Sequence, residues 1–135
     1  MAWPCPPAPH LVSSPIVLSS VSRPFSSVVM MRAPIGAIQK VLKRAGMKIE
    51  DVDTVELNEA FAAQVIPIMD ECDIPLEKMN PHGGAIALGH PFGMTGARIM
   101  TTLLNGLETD DKTIGLETMC VAGGQGQAML VERLN

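Results

Sequence analysis

The chain contains no tyrosine, three phenylalanines and one tryptophan, so aromatic residues make up only 3% of its 135 positions. Small apolar side chains, methionine and glycine must therefore fill any core, a composition suited to close packing between backbone layers. Basic residues are also scarce: ten Lys plus Arg face fourteen Asp plus Glu, for a net charge of -4. That balance excludes a basic face for nucleic acid and a polybasic membrane stripe. Hydrophobic residues reach 47%, yet no apolar run attains the roughly 18 residues that a spanning helix needs. No CxxC spacing joins Cys5, Cys72 and Cys120, and three cysteines cannot all pair within one chain. A reducing compartment fits best.

Acidic residues are missing altogether before Glu50, and seven of the eleven prolines lie within residues 1–34. Proline this dense opposes regular helices and central strands, so residues 1–33 read as a Pro/Ser-rich irregular tail. Two other readings stand beside it. A Ser-rich, acid-free stretch with Arg23 and Arg32 is similar to an organellar presequence, and a misassigned start would also place foreign sequence there.

Residues 34–135 are periodic. "PIGAIQKVLKRAG" places Ile38, Val41, Leu42 and Ala45 on one helical face and ends on Gly46 as a C-cap. "VDTVELN" at 52–58 alternates as a strand and runs into a helix over "EAFAAQVIPIMDEC", kinked by Pro67. A glycine-rich loop, "NPHGGAIALGHPFGMTGAR", precedes a helix carrying Met94, Ala97, Met100, Leu104 and Leu107. "TIGLETMC" and "QAMLVERL" then read as strands joined by "VAGGQG". The order predicts a layered α/β architecture.

Three polar positions sit at the ends of predicted elements, where side chains can converge: Asn58, His90 and Cys120. Each also has a plain structural reading. Asn58 suits a helix N-cap, His90 a loop histidine satisfied by backbone, and Cys120 a small buried hydrophobe. Phosphate loops do not fit, because Gly89, Gly93 and Gly96 match neither GxGxxG nor a Walker loop. A metal site from His82, His90 and Cys120 lacks a tight ligand pair or a carboxylate companion. No metal is expected.

Taken together, "NEAFA" at 58–62, "GGAIALGHPFGMTGAR" at 83–98 and "CVAGGQGQA" at 120–128 resemble, in order, three motifs of the thiolases, the acyl-CoA acyltransferases that make or cleave 3-ketoacyl-CoA. The resemblance runs from about Pro34 to Asn135. It implies a thiolase-like layered α/β fold, C-terminal half only, with a mixed sheet packed with helices. It further implies coenzyme A as a substrate and no separate cofactor. By the same resemblance His90 takes the proton from a nucleophilic cysteine, and Cys120 exchanges a proton with the α-carbon of the acyl group. An imidazole titrating near neutral pH suits the first role. Asn58 would hold a water that shares an oxyanion hole with His90. Phe61 would lie against the pantetheine arm, and main-chain N–H groups around Ala122 and Gly123 would supply a second oxyanion hole.

Two departures qualify this resemblance. Ala122 interrupts the family's run of glycines, and its methyl narrows the allowed φ. His82 stands where the family often has Asn and reads as a loop-structural residue. A larger expectation concerns absence: the family's nucleophilic cysteine belongs to an N-terminal half, and neither Cys5 nor Cys72 matches its motif. The chain is therefore expected to be inactive alone. It would pair with a missing N-terminal half or form a homo-oligomer, in the cytoplasm or else in a mitochondrion or peroxisome. A non-catalytic interaction module pairing with another thiolase half or subunit is the alternative.

Overall fold

Helical periodicity after Pro34 and alternation after Val52 are both realised in the computed structural model, which describes residues 16–21 and 27–134, with side chains from Met31 onward. In order, the elements are β1 (Ile16–Val21), α1 (Ser27–Ala45), β2 (Thr54–Leu57), α2 (Ala62–Cys72), the single turn α3 (Ala85–Leu88), α4 (Thr95–Thr109), β3 (Ile114–Val121) and β4 (Gln125–Glu132). Short 3-10 turns at Ile49–Asp51 and Leu76–Lys78 complete the chain. The sheet order is β1-β4-β3-β2. β2 runs parallel to β3, whereas β3 with β4 and β1 with β4 are antiparallel. The expected mixed sheet with helices is thus present.

The N-terminal expectation differs from the structure within its own span. A strand occupies Ile16–Val21 and α1 begins at Ser27, with Pro34 inside the helix. Local composition hid both elements, because β1 is stabilised by its ladder with β4, a partner more than a hundred residues away. β1 also covers the outer edge of β4, which would otherwise offer unpaired backbone groups. The tail expectation for residues 1–15 and 22–26 lies outside the described residues.

Two residues show why α1 sits where it does. A Cβ at Gly126 would overlap the carbonyl oxygen of Ala33 and the nitrogen of Pro34, so glycine alone lets the helix cross β4 at that height. From that crossing, α1 lays Ile38 and Val41, both fully buried, over Leu116, Ala128 and Leu130 of the sheet. Ile68 and Cys72 of α2 join the same core with Val55 and Leu57. Each such aliphatic chain contributes roughly 1.5–3 kcal/mol when removed from water. Gly46 follows α1 at φ 67, the expected C-cap.

The opposite sheet face is covered by α4, whose Leu103 and Leu107 pack on Val131. Strand β2 is consequently buried on both faces rather than on one, with Thr54 and Glu56 as enclosed as Val55 and Leu57. The connection between β3 and β4 is also tighter than expected. Residues 122–124 alone form the turn within "VAGGQG", because Gly123 and Gly124 at φ 85 and φ 73 accept a sharp reversal.

Candidate active site

Parallel pairing of β2 with β3 brings the C-terminal ends of both strands to one edge of the sheet, where a cavity of about 620 Å³ opens. Its wall includes Phe61, His90, Thr95, Met119, Cys120 and Ala122. Of the residues singled out from the sequence, four therefore meet at one cavity: His90, Cys120, Phe61 and Ala122. Asn58 and Gly123 do not line it.

Cys120 lies near the end of β3, paired with Gly126 across the hairpin, and is half-buried. Its thiol donates to Gln64 Oε1 of α2 at 3.6 Å. Gln64 is fully buried, so its carbonyl is held in place by packing. Cys120 is thus a half-buried thiol on a cavity wall with a side-chain acceptor, where the plain reading had a fully buried one. Cys72 shows the contrast: it sits in the core of α2, where burial first, then Glu71 and Asp73, push its thiol up to about 11.

His90 occupies the link between α3 and α4. Thr95 Oγ1, at the first position of α4, is 2.8 Å from His90 Nδ1. The edge of Phe92 meets the imidazole, with ring centroids 5.2 Å apart at 79°. With Nδ1 engaged by a hydroxyl, Nε2 is the ring nitrogen left for other contacts. The backbone reading of this histidine is replaced by a side-chain partner.

Asn58 follows β2 directly, and its N–H donates to the Thr118 carbonyl at 2.9 Å. The capping reading fails here: α2 starts at Ala62 behind Phe61, with no side-chain cap. Instead Asn58 is 1% exposed, and neither its Oδ1 nor its Nδ2 has a hydrogen-bond partner. A buried amide left without partners is costly, of the order of 1–3 kcal/mol per group.

Phe61 is extended at φ -145 and leaves its ring 58% exposed beside the cavity. Ala122 does not adopt a positive φ; the left-handed positions are Gly123 and Gly124. The methyl of Ala122 is therefore accommodated without backbone strain. His82 takes the structural role read for it: Nε2 lies 3.0 Å from Asp110 Oδ2, and its ring packs where a Cβ on Gly106 would stand. Among the described residues, no group of three or more His, Cys, Asp or Glu is placed to hold a metal ion.

Gln64 and Thr95 are the residues that sequence reading missed. Thr95 had a usable signal, since it follows His90 by five positions at the start of a predicted helix. Gln64 had none, because its partner lies 56 residues away.

Residues 16–133 match the family model described as "Thiolase, C-terminal domain". The chain is 51% identical over 107 residues to an acetyl-CoA acetyltransferase of Escherichia coli (strain K12), covering 79% of this chain and 27% of that protein. It is 56% identical over 110 residues to a 3-ketoacyl-CoA thiolase of Chromohalobacter salexigens, covering 78% of this chain and 28% of the relative. A 3-ketoacyl-CoA thiolase of Shewanella denitrificans is 52% identical over 111 residues, with 80% and 29% covered. The chain thus spans between a quarter and a third of the length of these relatives. With its three motifs on one sheet edge and its match running through nearly every described element, the chain belongs to the thiolase family, as a thiolase C-terminal domain.

Proposed function

We propose that this chain supplies the acid/base half of an acyl-CoA acyltransferase site, for thiolytic cleavage of a 3-ketoacyl-CoA or condensation of acetyl-CoA. The single observation carrying this reading is that His90 and Cys120 line one cavity, with Phe61 and Ala122 on the same wall. The relatives' names, acetyl-CoA acetyltransferase and 3-ketoacyl-CoA thiolase, point to the same substrates.

In this reading the Cys120 sulfur, as thiolate, takes a proton from the α-carbon of acetyl-CoA. The C–H bond breaks, an S–H bond forms, and the electron pair moves onto the thioester oxygen as an enolate. His90 and a water held by the unpartnered amide of Asn58 stabilise that oxygen, and the Ala122 N–H serves the second acyl group. In the reverse direction the same thiol returns the proton to carbon.

The acyl-accepting cysteine comes from outside the described residues, because Cys72 is buried in the core and does not line the cavity. The full reaction then needs a complementary thiolase half that brings the nucleophile, and the isolated chain turns over no 3-ketoacyl-CoA. Two free thiols, Cys72 and Cys120, accord with a reducing, cytoplasmic setting. No helix among the described residues is long and apolar enough to cross a membrane.

The test is incorporation of deuterium from D₂O into the methyl group of acetyl-CoA, followed by NMR. Exchange by the wild-type chain, lost in Cys120→Ala, is expected. CoA-dependent loss of acetoacetyl-CoA with the purified chain alone, abolished by His90→Ala, would overturn the claim that the site is incomplete.

A further inference from the structure

Asn58 and His90 belong to different elements, and neither side chain touches the other's segment in any hydrogen bond. Something else must set their spacing. Two side chains outside the cavity link the segments that carry Asn58 and His90. Asn80 pairs its amide with the backbone of Leu57 as a strand neighbour would: Leu57 N–H donates to Asn80 Oδ1 at 2.8 Å, and Asn80 Nδ2 donates to the Leu57 carbonyl at 3.0 Å. The same Nδ2 donates to Glu59 Oε1 at 2.9 Å. The second oxygen of that carboxylate, Oε2, accepts from the N–H of Ile86 at 2.8 Å.

Asn58 is therefore flanked by two clamped neighbours, Leu57 and Glu59, and the far end of the clamp is the first turn of α3. From Ile86 the turn is hydrogen-bonded to its end. Leu88 N–H donates to the Gly84 carbonyl and Gly89 N–H to the Ala85 carbonyl, at 2.9 and 2.8 Å. His90 follows at once. Asn80 is 8% exposed and holds φ 46, a left-handed conformation that costs a non-glycine residue energy. A Cβ on Gly84 would overlap the Glu59 carboxylate and Asn80 Nδ2. The glycine is what lets the loop close over the bridge.

We propose that Glu59 and Asn80 are positioning residues of the candidate site: their side-chain bridge holds the turn bearing Asn58 in register with the loop bearing His90. The proposal rests on the acyltransferase reading for its chemical consequence, though not for its geometry. A carboxylate is required because it faces two donors at once, one on each oxygen. Glutamine would turn one of those acceptors into a donor facing a donor.

The experiment compares wild type with Glu59→Gln in the full chain, by amide hydrogen exchange and by the acetyl-CoA deuteration assay. In the variant, the Leu88 and Gly89 amides are expected to exchange at least about tenfold faster, with Ile99, Leu116 and Leu130 unchanged within about twofold. Deuteration should lose about tenfold in kcat with KM within about twofold, because the reacting groups and not the binding surface are displaced. Uniform acceleration at all five amides would reduce Glu59 to a contributor to global stability and overturn the proposal, as would unchanged exchange at Leu88 and Gly89. Should Glu59→Gln fail to give a folded circular-dichroism spectrum, Glu59→Asp, which keeps the charge and shortens the reach, is read by the same outcomes. A wild-type chain that deuterates no acetyl-CoA defeats the acyltransferase reading, while the amide pattern still decides whether the bridge holds the loop.

Discussion

Thr95 Oγ1 sits 2.8 Å from His90 Nδ1, so the helix that follows the glycine loop reaches back to orient the imidazole on it. A hydroxyl at this position can donate to Nδ1 or accept from it, so it holds the ring orientation in either tautomer. Replacing Thr95 with Val keeps the shape and removes the partner. The expected result is a changed Nδ1 chemical shift of His90, from loss of its hydrogen-bond partner, read by long-range proton–nitrogen NMR of the ring. Thr95→Ser should retain the wild-type pattern. An unchanged spectrum in Thr95→Val would show that packing against Phe92 alone orients the ring.

Burial also separates the two described cysteines. With its thiol pushed up to about 11, Cys72 holds about one thiolate in a thousand at pH 8, and the thiolate is the reactive form. Iodoacetamide at pH 8 should therefore label the half-exposed Cys120 and spare Cys72, as read by peptide mass mapping. Equal labelling of both peptides would contradict the burial of Cys72 in the core.

Glu56 and Glu117 are cross-strand neighbours in the parallel ladder, 1% and 3% exposed, and each has an Oε2 without a partner. Burial lifts both carboxyls from 4.5 to about 7; for Glu56 the Arg98 charge opposes the rise and Glu59 adds to it. A raised carboxyl binds a proton in the folded state that the unfolded chain has already released. Its stabilising effect is thus fully present below about pH 4.5 and is lost as pH rises through 7. Glu117→Gln should remove one such dependence, on the order of 3 kcal/mol between pH 5 and pH 8, measured by urea unfolding at both. Asp53 does not enter this window. Burial alone would raise its pKa, but the N–H groups of Ile114 and Thr113, with the Lys78 and Lys112 charges, hold it below 3.8. Its contribution is lost only as pH falls below that.

Two glycines of one hairpin should respond differently to alanine. At Gly126 a Cβ meets the backbone of Ala33 and Pro34, which cannot move without displacing α1. Gly126→Ala is expected to cost about 3 kcal/mol or more in urea unfolding. At Gly123 there is open space but φ is 85, so Gly123→Ala should cost about 1 kcal/mol. Equal losses would place α1 farther from β4 than it stands.

Periodicity located α4 and the two hairpin strands, and the motifs located His90 and Cys120, because these signals are carried by adjacent residues. β1 and the start of α1 were illegible for the opposite reason. Proline and serine set a local preference against regular structure, and pairing with β4 outweighs it. The Asn58 capping expectation failed on the same ground: capping is a local rule, whereas the position of Asn58 is set by the Thr118 carbonyl and the Asn80 clamp on Leu57.

By itself the sequence determined the family and marked a thiol, an imidazole and an amide as candidates, since residues in family-specific motifs need no coordinates to be recognised. Only the tertiary structure decided how they are held: Gln64 on Cys120, Thr95 on His90, and the Glu59–Asn80 bridge between two loops. The Glu59–Asn80 and Gln64–Cys120 hydrogen bonds, 21 and 56 positions apart, leave no periodic trace in a chain. Cys120 reaches Gln64 at the edge where β2 and β3 end together, and Asn80 reaches Glu59 because residues 79 and 80 pair with Val55 on the other side of β2.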